Sequence, residues 1–116
     1  MDNIQYDKLI LTTILASKRA GEAILDVYES DFAVEQKDDK SPLTLADKKS
    51  NEIIENALEQ TVTVNNSTVP ILSEEGKEIS YEERKKWEYF WLIDPLDGTK
   101  EFIKRNGEFT VNIALI

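Results

Sequence analysis

The chain has 116 residues, of which 41% are hydrophobic, so its length and composition suit one small domain with a core. Its 23 acidic and 14 basic residues give a net charge of −9, which argues against broad nucleic-acid binding through a basic surface. The absence of cysteine excludes disulfides and thiolate metal sites. The N-terminal residues do not predict a signal peptide, and no segment predicts a transmembrane helix.

The N-terminal segment predicts a long amphipathic helix that runs from residue 4 to about residue 28. Apolar residues recur there at helical spacing, namely Leu9, Ile10, Ala16, Ala20, Ala23, Ile24 and Val27. Gly21 lies inside this helix, where glycine costs about 1 kcal/mol relative to alanine. Close packing against a neighbouring element would explain why a glycine is present there. Beyond the helix, residues 32–36 predict a short strand and residues 37–42 a polar turn.

A second amphipathic helix is predicted from residue 44 onwards, because four apolar residues recur at helical spacing, namely Ile53, Ile54, Ala57 and Leu58. Thr44 and Asp47 fit a capping box that opens this helix. From the residues alone, capping is a complete structural account of Asp47.

The middle of the chain predicts short elements separated by polar turns. Residues 62–68 are polar and β-branched and predict a loop, and residues 69–72 predict a short strand. The run that follows this strand contains two adjacent carboxylates, Glu74 and Glu75, which by themselves fit a surface turn. Ser80 caps a short charged helix predicted for residues 80–86. An aromatic cluster then predicts core packing, and it consists of Trp87, Tyr89, Phe90 and Trp91.

The most informative segment begins at Trp91 and reads Trp-Leu-Ile-Asp-Pro-Leu-Asp-Gly-Thr-Lys-Glu-Phe-Ile. Residues 91–93 predict a buried strand. Pro95 biases Asp94 towards an extended backbone, so Asp94 is expected to finish that strand. Open α/β sheets bind ligands at the carboxyl ends of their strands, which makes Asp94 a candidate ligand.

The residues after Pro95 predict a second ligand and an anion cradle. Asp97 is expected one tight turn after Asp94, with the Leu96 carbonyl between them not needed by a strand ladder. Gly98 permits a positive φ, and backbone amides at the start of a short helix predicted for residues 99–104 would favour an anion. Hard oxygen ligands beside such a cradle suit Mg²⁺-dependent chemistry on a phosphate ester. The same pattern is also good turn chemistry without any ligand.

This string resembles the metal-binding signature of the inositol monophosphatase superfamily, Asp-Pro-(Ile/Leu)-Asp-Gly-Thr. Its continuation from Lys100 to Ala114 looks like one branch, the CysQ-type 3'(2'),5'-bisphosphate nucleotidases. Residues 41–47, Ser-Pro-Leu-Thr-Leu-Ala-Asp, match a second family motif, Ser-Pro-x-Thr-x-x-Asp, whose aspartate faces the active site. The pair Glu74 and Glu75 matches a third motif, which implies a metal ligand followed by a supporting residue.

The resemblance implies a phosphomonoesterase that uses two or three Mg²⁺ ions and hydrolyses adenosine 3',5'-bisphosphate to AMP and phosphate. Glu74, Asp94 and the Leu96 carbonyl would hold one ion. Asp94 would also bridge to a second ion, which Asp97 and one aspartate outside this chain would hold.

The resemblance also implies the catalytic residues and the residues that touch the substrate. Thr99, paired with Asp47, would orient the attacking water and help to deprotonate it. The substrate-binding residues would be Glu74, Leu96, Asp97, Gly98 and Thr99. Lys100, Lys104 and Arg105 could attract phosphate, but a solvated position explains them equally well.

The fold implied by the resemblance is α/β (α+β), with two long helices on a mostly antiparallel sheet. This corresponds to the N-terminal half of the superfamily's layered αβαβα sandwich. Residues 109–116 predict a strand that reaches the last residue, so its partner strands are expected to be missing from this chain. Residues 1–116 are therefore interpreted as the N-terminal metal-binding portion of a phosphatase, whose C-terminal portion would supply the further aspartate and the base-binding pocket.

Two other functions stay open. One is an inositol- or sugar-phosphate phosphatase, against which the continuation at residues 100–102 argues. The other is a catalytically inactive truncated fragment. The resemblance further implies a small-molecule nucleotide substrate, lithium sensitivity, a role in sulfur metabolism and a cytoplasmic location, with peripheral attachment to the inner membrane as a variant.

Overall fold

The computed structural model of the protein describes residues 3–29, 42–61, 63–64, 67–74, 76, 78–99, 102 and 108–116. Within them the chain forms two long helices, a two-stranded ribbon, a three-stranded sheet and a one-turn helix. In chain order these elements are α1 (Asn3–Tyr28), α2 (Pro42–Thr61), β1 (Thr63–Val64), β2 (Ser67–Thr68), β3 (Ile71–Ser73), α3 (Tyr81–Arg84), β4 (Trp91–Asp97) and β5 (Thr110–Leu115). None of the described helices is long and apolar enough to cross a membrane.

Helix α1 confirms the first predicted helix almost to the residue. Its buried stripe consists of Leu9, Ala16, Ala20, Ile24 and Val27. Ile10, which the spacing assigned to this stripe, is 55% exposed, so that part of the prediction is wrong. Close packing does not explain Gly21 either, because an added Cβ would meet no described atom within 4 Å.

Helix α2 begins two residues earlier than predicted, at Pro42. Proline suits the first helical position, since the N–H it lacks would have no intrahelical partner there. Thr44 is consequently the third residue of the helix and Asp47 lies in its second turn. The capping-box prediction is therefore wrong for both residues.

The three-stranded sheet has the order β3-β4-β5 and is mixed. Strands β3 and β4 are parallel, whereas β4 and β5 are antiparallel, so the prediction of a mostly antiparallel sheet is only half right. Residues 62–68 were predicted as a loop, but β1 and β2 pair there as an antiparallel ribbon. The strand predicted for residues 32–36 and the turn at residues 37–41 lie outside the described residues.

Both long helices pack on the sheet through a first core cluster. Its buried members are Leu9, Ala20, Ile54, Leu58, Trp91 and Ile93. Tyr89 packs against this cluster, and the rings of Trp87 and Phe90 lie 5.7 Å apart, which confirms that the aromatic run serves packing. Ser80 caps α3 by accepting a hydrogen bond from the backbone N–H of Glu83, as predicted.

A second core cluster lies under the Asp-Pro-Leu-Asp segment. Its buried members are Ile24, Val27, Ala46, Leu96 and Phe102. The Phe102 ring contacts the rings of Tyr28 and Phe109, with centroid separations of 5.5 and 5.7 Å. Aromatic packing of this kind anchors the segment on both sides of Gly98.

Candidate active site

The parallel pairing of β3 and β4 brings two of the predicted metal ligands to the same edge of the sheet. Ser73 pairs with Ile93, and the next residue along each strand is Glu74 and Asp94 respectively. The N–H of Glu74 donates to the carbonyl of Ile93 over 3.1 Å, which extends the ladder by one bond. Glu74 and Asp94 both line an open depression of about 500 Å³.

The structure corrects the predicted end of the strand. Strand β4 continues past Asp94 to Asp97, so no tight turn separates the two aspartates. Pairing with β5 skips Pro95 and Leu96, while Asp94 faces Asn112 and Asp97 faces Thr110. Two residues of β4 thus stand opposite one residue of β5, which is a β-bulge.

The bulge decides where Asp97 points. Pro95 and Leu96 are both buried, which breaks the alternation that otherwise holds along β4. In a regular strand, Asp97 would lie on the same buried face as Ile93, because the two residues are four positions apart. Because Thr110 and Asn112 are two residues apart on β5, their partners Asp97 and Asp94 share one face of the sheet. The bulge therefore re-aims Asp97 to the exposed side, where Asp94 lies.

Gly98 ends the strand with a φ of 95°, a left-handed conformation that side chains other than glycine rarely adopt. Its carbonyl accepts a hydrogen bond from the N–H of Phe102 over 2.9 Å, so Thr99 opens a helical turn, as predicted. Thr99 is exposed and Phe102 is buried, and the rest of the predicted helix lies outside the described residues. The turn thus presents Thr99 while Phe102 holds it to the core.

Asp47 lies on α2, close to the part of that helix that packs against Leu96. Its side chain is only 7% exposed, although it belongs to the second turn of a helix and not to a cap. The neighbouring Ala46 belongs to the same core cluster as Leu96, so the start of α2 packs beneath the Asp-Pro-Leu-Asp segment.

The predicted ligands are brought together only in part. In the part of the chain that the structure describes, no three acidic side chains lie close enough to form a metal site on their own. The donors present are nonetheless carboxylate and carbonyl oxygens. Mg²⁺ binds through one or two carboxylates, with water and substrate phosphate completing its shell. The donor set at Glu74 and Asp94 fits that ion.

Three polar residues beside the candidate site were not predicted from the sequence. Ser50, Asn51 and Ser73 are all buried. The Ser50 hydroxyl donates to the Pro95 carbonyl over 2.7 Å, and the Ser73 hydroxyl donates to the Asn51 side-chain carbonyl. Helical spacing could have found the first two, because they continue the apolar stripe of α2 towards its N-terminus.

The profile of the inositol monophosphatase family matches residues 5–116 of the chain. The chain belongs to the inositol monophosphatase family. This confirms the resemblance drawn from the three motifs. The layered α/β fold of this family also accounts for the two helices on a mixed sheet.

Individual family members agree with this assignment. The chain is 50% identical over 102 residues to the 3'(2'),5'-bisphosphate nucleotidase CysQ of Salmonella typhimurium. The matched segment covers 86% of this chain and 39% of that relative. It is 39% identical over 110 residues to CysQ of Haemophilus influenzae, covering 95% and 39%. Among solved structures, CysQ from Bacteroides thetaiotaomicron superposes with a TM-score of 0.81 at 49% identity, covering 98% of this chain and 39% of that one. The chain spans about 39% of the length of these relatives.

Proposed function

We propose that the protein carrying these residues is a Mg²⁺-dependent phosphomonoesterase that converts adenosine 3',5'-bisphosphate to AMP and phosphate. The observation that carries the proposal is the bulge, which turns Asp97 to the face of Asp94 immediately before a glycine with positive φ. A bulge that only ended a strand would not need to bring two carboxylates to one face. Bulges are common beside active sites, where they re-aim a side chain.

Three of the carboxylates would be metal ligands, whereas the buried Asp47 would have a different role. Glu74, Asp94 and Asp97 would hold Mg²⁺ together with the Leu96 carbonyl. Once bound, Mg²⁺ would offset the negative charge of these groups and of the phosphate and would favour attack by water. Glu74, Leu96 and Asp97 would also lie against the substrate phosphate.

Thr99 and Asp47 would handle the attacking water. The exposed Thr99 hydroxyl can accept one hydrogen bond and donate another, so it would orient a water towards phosphorus. Asp47 would take up the proton through that hydroxyl. The backbone amides of Gly98 and Thr99 would donate to the phosphate oxygens, for which the positive φ of Gly98 permits a close approach. The chain contains no histidine or cysteine that could serve as an alternative base or nucleophile.

The choice of substrate rests on similarity. Two of the relatives named 3'(2'),5'-bisphosphate nucleotidase are 50% and 51% identical to this chain. The inositol monophosphatase of Zymomonas mobilis superposes with a TM-score of 0.72 but is 27% identical. This difference in identity supports the nucleotide, and not an inositol phosphate, as the proposed substrate. The cytoplasmic location stays a prediction.

The test is hydrolysis by the purified product of the complete reading frame that contains these 116 residues. We expect turnover of adenosine 3',5'-bisphosphate well above that of inositol or sugar phosphates, inhibition by Li⁺ and loss of activity in excess EDTA. Asp97→Asn should remove most activity with little loss of fold, because asparagine keeps the shape but is a weaker ligand for a hard cation. Asp26→Asn, on the exposed side of α1, is the matched control. Full activity in EDTA, or an Asp97→Asn variant with wild-type turnover, would refute the proposal.

A second arm compares the 116-residue chain alone with that complete product. The chain alone is expected to have negligible activity. Only Asp94 and Asp97 would hold the second Mg²⁺ ion in it, whereas the family resemblance implies a further aspartate as a ligand of that ion. Comparable rates per molecule would show that the residues described here suffice for catalysis.

A further inference from the structure

We infer that Ser50 and Asn51 are positioning residues that fix the two ligand-bearing strands relative to Asp47. The inference rests on the proposed function, because it assigns these residues a task in the metal site. Neither residue touches the substrate in this scheme. Each acts through a hydrogen bond to a strand that carries a ligand.

Ser50 holds the bulge. Its side chain is 0% exposed, and its hydroxyl donates over 2.7 Å to the carbonyl of Pro95, 45 residues away in the chain. Pro95 lies between Asp94 and Leu96, in the part of β4 that pairing with β5 skips. A peptide unit outside the ladder lacks the restraint that strand pairing gives. The Ser50 hydrogen bond supplies that restraint from the helix side.

Asn51 holds the neighbouring strand. Its side-chain carbonyl accepts a hydrogen bond from the hydroxyl of Ser73, the last residue of β3, which directly precedes Glu74. Its amide nitrogen donates over 2.9 Å to a carboxylate oxygen of Glu55, one helical turn further along α2. The hydrogen bond to Glu55 fixes the orientation of the Asn51 amide, so the Asn51 side-chain carbonyl faces Ser73 and accepts the hydrogen bond from its hydroxyl.

One helical turn connects both hydrogen bonds to Asp47. Ser50 and Asn51 follow Asp47 by three and four residues, and such residues share one face of a helix. A single rigid turn of α2 therefore determines how far Asp47 stands from β4 and from β3. Groups that hydrogen-bond directly to metal ligands typically contribute 10- to 100-fold to metal affinity. Ser50 and Asn51 bond to residues directly beside the proposed ligands, so we expect an effect at the lower end of that range.

The chemistry of the buried stripe argues against a role in packing alone. Ala46 and Ile54 lie on the same stripe and are fully buried apolar residues. An apolar side chain at position 50 or 51 would fill the interior without a polar group that has to be satisfied. Buried hydrogen bonds that are satisfied make a structure rigid and specific, which a site with several ligands requires.

The experiment measures Mg²⁺ affinity and thermal stability of Ser50→Ala and Ser73→Ala in the complete reading-frame product. Isothermal titration calorimetry gives the affinity without reference to activity, and the Mg²⁺ dependence of kcat is recorded beside it. Ser17→Ala is the matched control, because the Ser17 hydroxyl donates over 2.9 Å to the Ile14 carbonyl on α1, within one helix. We expect Mg²⁺ affinity about tenfold weaker in Ser50→Ala and Ser73→Ala, and unchanged in Ser17→Ala.

The outcomes separate the two proposals. If the wild type binds Mg²⁺ and hydrolyses the nucleotide but both variants keep its affinity while melting earlier, the two hydrogen bonds are only structural and the inference is overturned. If the wild type neither binds Mg²⁺ nor hydrolyses phosphate esters, the proposed function fails and takes the inference with it. Should Ser50→Ala not fold, the affinity of Ser73→Ala decides, since that variant removes one hydroxyl from the strand side.

Discussion

The two long helices pack on the same sheet but bury different kinds of side chain. All five buried residues of α1 are apolar. The buried side of α2 is apolar at Ala46, Ile54 and Leu58, but it is polar between Ala46 and Ile54. Its polar members are Asp47, Ser50 and Asn51. Since a buried polar group is tolerated only with partners, the buried side of α1 serves packing, whereas α2 also makes buried hydrogen bonds to β4 and β3.

The largest expected effect tests the supporting role of α1. Leu9→Ala should lower the free energy of unfolding by about 2–5 kcal/mol, because it leaves a cavity at a buried side chain of the first core cluster. Turnover per folded molecule should not change. Urea denaturation measures the loss, and Ile10→Ala, on the exposed side of the same helix, should stay within about 0.5 kcal/mol of wild type. A drop in kcat for folded Leu9→Ala would make α1 part of the site and remove the contrast.

Asp47→Asn tests the role of α2 in the site. The variant keeps the shape of the side chain, so melting should be near normal, while kcat should fall on the order of 10²-fold or more. Asp26→Asn on α1 serves as the control and should leave kcat unchanged. Because Asp47 lies in the second turn of α2, capping no longer accounts for it. Unchanged kcat beside a lower melting temperature would show that Asp47 is structural.

Gly21→Ala should stabilise α1 by about 0.5–1 kcal/mol. The space around an added Cβ is open, and alanine restricts the unfolded chain more than glycine does. Thermal unfolding measures the gain. Ala23→Gly, two residues away, should lose a similar amount, and a destabilised Gly21→Ala would reveal a contact of α1 with residues beyond the described ones.

The smallest effect concerns Glu55, whose pKa is raised above its ordinary value of 4.5, first by burial and then by Glu59, while the Asn51 hydrogen bond opposes the shift. A carboxyl with a raised pKa in the folded state contributes stability below its unfolded pKa, and this contribution is lost as pH rises through the folded pKa. Glu55→Gln keeps an acceptor for Asn51 and removes the repulsion between neighbouring carboxylates on the helix. It should therefore be more stable than wild type by about 0.2–0.5 kcal/mol at pH 7, and the difference should vanish near pH 4. Equal stability at both pH values would contradict this account.

Periodicity predicted the helices well because an amphipathic stripe of this length has few alternative explanations. Their starts were harder, since Thr44 and Asp47 satisfy a capping pattern that the earlier start at Pro42 overrides. The parallel pairing of β3 with β4 could not be predicted from residues 69–72 and 91–93, because strand direction is a property of the connection and the packing.

The candidate site, like the fold, could be predicted only in part from the sequence. Glu74, Asp94 and Asp97 were predicted because the motifs name them. The bulge at Pro95 and Leu96 was not, because an extra residue in a strand is visible only against its partner strand. Ser50 and Asn51 were missed because a polar residue on a buried stripe reads locally as a break in the pattern. Their partners lie 45 and 22 residues away in the chain.

Those long separations bear on how the protein reaches its native state. The hydrogen bond from Ser50 to Pro95 closes a loop of 45 residues, so loop-closure entropy opposes it until other contacts between α2 and β4 have formed. An ion that needs Glu74 and Asp94 side by side would bind the finished structure and not the unfolded chain. Mg²⁺ at 100 times its dissociation constant would then add about 2.7 kcal/mol to the free energy of unfolding. The amount of folded protein would consequently depend on the supply of the ion.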